Sequence, residues 1–458
     1  MKRSAHIVGY VFLFAFVAFS QSSDTALRVV TQKDKTSRAS DGKLVALSPG
    51  EHFSRGKTYF DNRQFPESRE HFYRILELYP SDGTMAGALF MTGRSYYWER
   101  DYTRAITYLD RVAAEFPDTL YGREGLAFSG ACHVRLGKNE EAAKIYEKYT
   151  VMYPDGERID SAHLNIIDAL REAGKYDAAK AWVEKTRQKF SGTSTETNAL
   201  QALVRMNIHR GRWDEAELAA DTLISVAAFS GSMTSLDEIK YLKGFALEKS
   251  GKKQRAIDIY ASIGNNFSSY YSGLASERLA KIGAKMHLPR PLTAKQRADN
   301  PVMYRSEILQ FTKKHKIDPR FILAIMKQES SFKANAKSPA AARGLLQLVL
   351  DTALKYKDKA GYPNLQPDDL YDPRTNIAIA SEYIAELKDE FGGLYEAIAA
   401  SYNGGEDNAA RWLNRSKPKE AGIFASEVGF SETKNYVFKV MNNYRIYREL
   451  YNENLDRR

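Results

Sequence analysis

The sequence predicts an all-α chain in two parts, an N-terminal α-solenoid of helix–turn–helix repeats and a C-terminal helical domain. Three observations carry that prediction. Landmarks recur every 37 residues through the first half, with Tyr79-Pro80, Phe116-Pro117, Tyr153-Pro154 and Phe190-Ser191 equally spaced. After Pro301 the apolar residues fall at helical spacing, and no alternating run marks a strand. Between the two regions, Met286 to Asn300 carries Pro289, Pro291 and several charges without apolar periodicity, the composition of a linker.

Taken in order, the chain begins with Met1-Lys2-Arg3 and a thirteen-residue apolar run from Ile7 to Phe19, followed by small residues at Ala18 and Ser20. That pattern predicts a signal peptide over 1–20. The run is shorter than the roughly 20 residues a membrane span needs, so no stable membrane anchor is expected. Cys132 is the sole cysteine, which excludes an intramolecular disulfide and leaves no cysteine after the apolar run to carry a lipid. The mature protein is therefore expected to be exported and periplasmic. Residues 21–48, rich in Ser, Thr, Asp and Lys, read as a flexible lead-in.

Residues 49–283 hold the repeats. Ser68, Ala105, Ala142, Ala179 and Ala216 form a column of small residues that lets paired helices approach closely, and Gly137, Gly174 and Gly211 mark the turns between them. Phe65, Tyr102, Asn139, Tyr176 and Trp213 keep the same period, and a sixth unit with Gly251 and Ala256 follows after a slip of three residues. Proline after an aromatic residue stops the second helix of several units. The pattern is similar to tetratricopeptide-type repeats, and such a stack is expected to offer a concave face to a protein partner.

The linker is placed at 284–300, a helical domain at 301–450 and a frayed polar tail at 451–458. Few core contacts are expected to cross the linker. Within the domain, Asp318-Pro319 reads as a helix N-cap, and Phe321, Ile322, Ile325 and Met326 recur on one face. Glu329 falls on the same face in the last turn. Apolar surroundings and the negative end of the helix dipole both raise a carboxyl pKa there, which suits a general acid.

Composition narrows the chemistry. Lysine and arginine exceed aspartate and glutamate by 10, a balance that suits an acidic polymer. The basic residues are scattered rather than gathered beside stacking aromatics, so no nucleic-acid partner is expected. Only His315 remains after residue 300, and no HExxH, GxSxG or P-loop occurs. No metal, cofactor or nucleophilic triad is expected. Ordinary glycosidases use two carboxylates, yet no Asp or Glu lies between Glu329 and Asp351.

The residues around Glu329 resemble a known signature. Lys327-Gln328-Glu329-Ser330-Ser331-Phe332, Ser338-Pro339 and Gly344-Leu345-Leu346-Gln347-Leu348 are followed in order by three further elements. Asp372 to Ile377 is similar to DPxxNI, Ala400 to Gly405 to AAYNAG, and Phe430 to Val437 to FxETRxYV. Together they resemble the soluble lytic transglycosylase family, whose catalytic domain is goose-lysozyme-like. The resemblance implies a lysozyme-like catalytic domain acting on peptidoglycan glycan strands. It implies cleavage of the β-1,4 bond between N-acetylmuramic acid and N-acetylglucosamine by one glutamate, Glu329, as acid and then base, leaving a 1,6-anhydromuramyl end. Ser338 and Gln347 would then hydrogen-bond near the reacting sugar, Tyr402 and Asn403 would line the cleft, and Glu432 would bind substrate. The sequence departs from the pattern at Ala341 for glycine, Leu346 for methionine, Val349-Leu350 for MP and Lys434 for arginine. A hydrolytic muramidase of the same fold and a non-catalytic wall-binding scaffold are the alternatives, and retention of Glu329 argues against the scaffold.

Overall fold

The computed structural model describes residues 20–284 and 291–458. The expected signal peptide lies outside the described residues but for Ser20. Helix α1 (Ser20–Thr36) precedes a series of helix pairs: α2 (Pro49–Asp61) and α3 (Phe65–Leu78), α4 (Met85–Trp98) and α5 (Tyr102–Glu115), α6 (Leu120–Arg135) and α7 (Asn139–Met152), α8 (Ile159–Glu172) and α9 (Tyr176–Lys189), α10 (Ser194–His209) and α11 (Trp213–Val226), α12 (Leu236–Lys249) and α13 (Lys253–Ala261). Helix α14 (Tyr270–Lys281) ends the series. The C-terminal segment adds α15 (Ala294–Ala298), α16 (Arg305–His315), α17 (Pro319–Ser330), α18 (Leu350–Ala360), a 3₁₀ turn (Pro367–Tyr371), α19 (Pro373–Glu390), α20 (Tyr395–Gly404), α21 (Glu406–Arg415), α22 (Ala421–Glu427) and α23 (Ser431–Leu450). Among the described residues the only β-pairing is isolated bridges.

The repeat columns have the expected physical meaning. Ser68, Ala105, Ala142, Ala179, Ala216 and Ala256 are all fully buried. A side chain in place of Gly93 would strike Leu109, and one at Gly130 would strike Tyr146, so the first helix of those pairs yields its surface to a large residue of the second. In the turn column Gly137, Gly174 and Gly211 have φ of 71°, 73° and 68°, and Arg63 and Arg100 occupy the same column two periods and one period earlier, at 62° and 64°. Two arginines thus accept a left-handed backbone at a cost of about 1 kcal/mol each.

The chain forms two compact units. One runs to Ala179 and includes Lys337–Ala342; the other comprises Lys180–Ala336 and Arg343–Arg458.

In the first unit, the stretch expected as a flexible lead-in over 21–48 contains α1, and Asp34 on α1 is buried. Asp34 accepts from Arg55 at 2.6 Å and from the Tyr59 hydroxyl at 2.8 Å. The amide of Leu47 donates to His52 Nε2, so His52 carries its proton on Nδ1 and donates to His71 Nδ1 at 3.0 Å. His71 in turn donates from Nε2 to Asp34 at 3.0 Å. Burial pushes both imidazoles down, His52 to about 4, so the chain is neutral at its histidines and holds α1 and the residues before α2 on the first repeat. These contacts are long-range, which is why local composition misread the segment.

In the second unit, α17 is the central helix. Phe321, Ile322, Leu323, Ala324, Ile325 and Met326 are all fully buried, so the helix is enclosed on every side through this stretch instead of showing one apolar stripe. Its neighbours in the core include Ile377 and Ile384 of α19, Ile398 of α20 and Val437, Val440 and Tyr447 of α23. A second core gathers α10–α14 with Ile423 and Ala425 of α22. Arg205 pairs with Glu427 at 3.0 Å, His209 Nδ1 lies 2.7 Å from the Arg415 carbonyl, and the Tyr271 hydroxyl donates to the Gly422 carbonyl at 3.2 Å. The last repeats and the C-terminal segment therefore share cores and buried ion pairs, contrary to the few crossing contacts that the linker composition suggested. Residues 291–300 are also held in place: Thr293 and Gln296 form a capping box, and the Lys327 ammonium donates to Asn300 Oδ1 at 2.7 Å. Nor is the tail at 451–458 frayed. Tyr451 and Arg457 form an antiparallel bridge, Leu455 is buried, and Arg305 donates to the Asn454 carbonyl at 2.7 Å.

Candidate active site

Helix α17 starts as its sequence dictates, with the Asp318 side chain accepting from the Arg320 amide at 2.9 Å and Pro319 at the first helical position. It ends abruptly. Ser331 and Phe332 both have positive φ, 49° and 65°, so the chain turns away from the helix directly after Glu329-Ser330 through two strained non-glycine residues. Glu329 is left half-buried in the last turn, with its carboxyl at the edge of the core.

The Tyr436 hydroxyl donates to Glu329 Oε1 at 2.6 Å. Burial raises the Glu329 carboxyl to about 7; the Tyr436 hydrogen bond opposes that shift, and the negative charge of Glu432 adds to it. Burial, reinforced by the Glu329 charge, holds the phenols of Tyr402 and Tyr436 well above the usual range, so both remain neutral donors. Tyr436 was not singled out as a site residue from the sequence. The signal was present, because it stands four residues after Glu432 in the quoted Phe430–Val437 element, on the same helical face.

Each of the other expected residues is held by contacts of its own. The Tyr402 hydroxyl donates to the Leu346 carbonyl at 2.6 Å and its ring packs on Tyr383, so Tyr402 fixes the loop beside Glu329. Gln347 sits at φ 45°, and its Nε2 donates to the carbonyls of Ala336 at 3.0 Å and Gly344 at 2.8 Å, which commits both amide protons to the loop. Fully buried Asn376 completes that loop. Its amide donates to the carbonyls of Arg343 and Leu370, and its Oδ1 accepts from the Leu346 amide at 2.8 Å. A side chain at Gly344 would strike the Leu370 carbonyl and Asn376, and its φ is 78°, so that glycine is required twice over. Asn403 Oδ1 accepts from the Thr433 hydroxyl at 2.7 Å, tying the end of α20 to the start of α23 beside Glu432. Ser338 lies in the segment Lys337–Ala342, which groups with the first unit; its hydroxyl caps the Ala342 amide at 3.1 Å. Ala341, where a glycine was expected, has φ 59°, so the backbone there keeps a glycine-like conformation despite the added methyl. Among the described residues no cluster of three or more His, Cys, Asp or Glu is placed to hold a metal ion.

Residues 306–424 match the family model described as Transglycosylase SLT domain. This segment is a transglycosylase SLT domain. Residues 87–119 and 133–193 match tetratricopeptide repeat models, so the chain joins such repeats to the SLT domain. The soluble lytic murein transglycosylase of Escherichia coli (strain K12) is 33% identical over 145 residues, which cover 31% of this chain and 22% of that protein. The match thus spans about a fifth of the length of that relative. The membrane-bound lytic murein transglycosylase C of Mannheimia succiniciproducens is 28% identical over 48% of this chain and 67% of its own length. In fold, the chain is similar to an inactive mutant of the lytic transglycosylase Slt from Pseudomonas aeruginosa, with a TM-score of 0.55 over 95% of this chain and 88% of that one, at 16% identity. The fold class is all-α, with repeats of solenoid type preceding a lysozyme-like SLT domain.

Proposed function

We propose that the chain is a peptidoglycan lytic transglycosylase that cleaves the β-1,4 bond from N-acetylmuramic acid to N-acetylglucosamine. The observation that carries this reading is the half-buried Glu329 carboxyl, raised to about 7 and hydrogen-bonded by Tyr436. At neutral pH such a group is divided between its two forms, which suits one residue that must first give a proton and then take one. Protonated Glu329 donates to the glycosidic oxygen as that bond breaks, and the neighbouring N-acetyl group of the substrate supports the electron-poor C1. Ionised Glu329, held by the Tyr436 hydrogen bond, then removes the proton of the muramyl 6-hydroxyl, whose oxygen bonds to C1. The 1,6-anhydro ring closes, Glu329 is protonated again, and no water is consumed.

The remaining residues act on binding and geometry. Glu432 and Asn403 line the substrate side, Gln347 and Tyr402 hold the loop under the reacting sugar, and Ser338 supplies a hydroxyl from its own loop. Two similarities support the reading: the match to the SLT domain, and the relatives that are murein transglycosylases by name. Those names also favour export to the periplasm, where peptidoglycan lies, with the basic balance of the chain suiting a carboxylate-bearing polymer. The repeats are proposed to hold the enzyme to the wall or to a protein partner. Mass spectrometry of products from purified sacculi tests the reaction. Muramyl ends lighter by one water than hydrolysed ends are expected, and hydrolysed ends alone would favour a muramidase.

A further inference from the structure

Lys434 and Glu238 form an ion pair at 2.8 Å in which the residues are only 2% and 0% exposed. Lys434 belongs to α23, the helix that carries Glu432 and Tyr436; Glu238 belongs to α12, in the last repeats. The same Glu238 oxygen also accepts from the Gln201 amide of α10. Lys434 reaches the Ser426 carbonyl at 3.4 Å, and Arg205 of α10 reaches that carbonyl at 3.3 Å and Glu427 at 3.0 Å. Arg415 closes the group by donating to the Glu427 carbonyl at 2.6 Å.

As a stabilising device this is a poor choice. Glu238 Oε2 has no hydrogen-bond partner among the described residues, and removing both charges from water costs more than an apolar contact of the same volume would. What a buried ion pair supplies is direction, because one ammonium must meet one oxygen and an apolar surface has no such point. Tyr436 follows Lys434 by two residues on a rigid helix, and its bond to Glu329 is 2.6 Å long. A small rotation or slide of α23 breaks that bond.

We propose that Glu238 and Gln201, in the repeats, are positioning residues for the glycan-cleaving reaction: through Lys434 they fix α23 so that Tyr436 meets Glu329. The repeats then contribute to the chemistry as well as to capture of the wall. This inference rests on the proposed function for its kinetic readout. If the pair is loosened, Glu329 loses the hydrogen bond that favours its ionised form. Its pKa rises further, and the alkaline limb of the rate moves to higher pH.

The test uses the full chain, soluble glycan strands as substrate, and the variants Glu238→Gln and Lys434→Met beside Tyr436→Phe as reference. Each of the first two is expected to lower kcat about tenfold with KM within about twofold, and to move the alkaline limb in the same direction as Tyr436→Phe. A folded Glu238→Gln protein with native kcat and an unmoved limb overturns the proposal. If the single variants fail to fold, the double replacement Glu238→Leu with Lys434→Met removes both charges together. A stable double variant that is slow supports the proposal, and a stable one at the native rate overturns it. Failure of the underlying function reads differently. A native protein that cleaves no glycan overturns the function, and the positioning claim is then decided by carbon-13 NMR titration of Glu329. A rise in its pKa in Glu238→Gln supports the claim, and an unchanged value overturns it.

Discussion

The two ends of α17 hold two carboxylates, each accepting a hydrogen bond from a tyrosine of α23. Asp318 takes the Tyr444 hydroxyl at 2.8 Å and Glu329 takes the Tyr436 hydroxyl at 2.6 Å, so the helices run antiparallel with a clamp at each end. Their acidities diverge. Asp318 stands at the helix N-terminus beside the Arg320 guanidinium at 2.6 Å, and despite burial its carboxyl is held below the usual range by Arg320 and Tyr444. Glu329 stands at the C-terminus, where burial raises it to about 7 and the charge that adds to the shift is the like charge of Glu432. The tyrosine is common to both ends and lowers both, so it does not explain the difference. The difference comes from the guanidinium and the end of the helix. Glu396 supplies a third case. Buried with the Tyr270 hydroxyl at 3.0 Å, it is also raised to about 7 by burial, yet it is only 5% exposed, whereas Glu329 is half-buried. A raised carboxyl serves as an acid only where substrate can reach it.

The largest expected effect comes from breaking the reactive end. Glu329→Gln keeps size and removes the acid, so glycan cleavage should fall by about 10²–10⁴-fold, measured as soluble product released from sacculi. Next is the clamp on that end. Tyr436→Phe should lower kcat about tenfold and move the alkaline limb of the pH–rate profile upward, because the bond it deletes favours the anion.

The quiet end should answer in stability. Asp318→Asn leaves Arg320 only the exposed Glu453 at 3.5 Å as a counter-charge and is expected to cost about 1–3 kcal/mol in denaturant unfolding, with the alkaline limb of activity unmoved. The sign of its pH dependence is also fixed. Asp318 has a depressed pKa, so its contribution is present above the unfolded value of about 3.9 and is lost as pH falls through the folded value.

The smallest effect on activity belongs to Glu396→Gln, expected within about twofold of native. Its stability signature has the opposite sign to that of Asp318. A raised carboxyl contributes fully below its unfolded value of about 4.3 and the contribution is lost as pH rises through about 7. Thermal unfolding of the Gln variant between pH 5 and pH 9 should therefore lose up to about 3 kcal/mol less than the native protein.

Features set by neighbouring residues were readable in the sequence. The repeat columns, the cap at Asp318-Pro319 and the place of Glu329 in the last turn all follow from short spacings. Arg63 and Arg100 escaped notice because their side chains give no sign of a left-handed turn; only their place in the glycine column does. Tyr436 is 107 residues from Glu329, so the only sign of it in the sequence is its place four residues after Glu432 in the Phe430–Val437 element. The same holds for α1, whose buried Asp34 finds its partners at Arg55, Tyr59 and His71, and for the tail that Arg305 and Arg320 hold down. From the sequence Lys434 is only a departure from the pattern's arginine, because its partner Glu238 lies 196 residues away in the repeats.

The most direct measurement is the pH dependence of kcat/KM on soluble glycan strands for the native protein, Glu329→Gln and Glu396→Gln. The general acid must be protonated in the free enzyme, so the native rate should fall as pH rises through about 7. Glu396→Gln should keep that limb in place, and Glu329→Gln should leave almost no activity to titrate. A limb that vanishes in Glu396→Gln, or a Glu329→Gln protein cleaving at a comparable rate, would contradict the assignment of Glu329 as the acid.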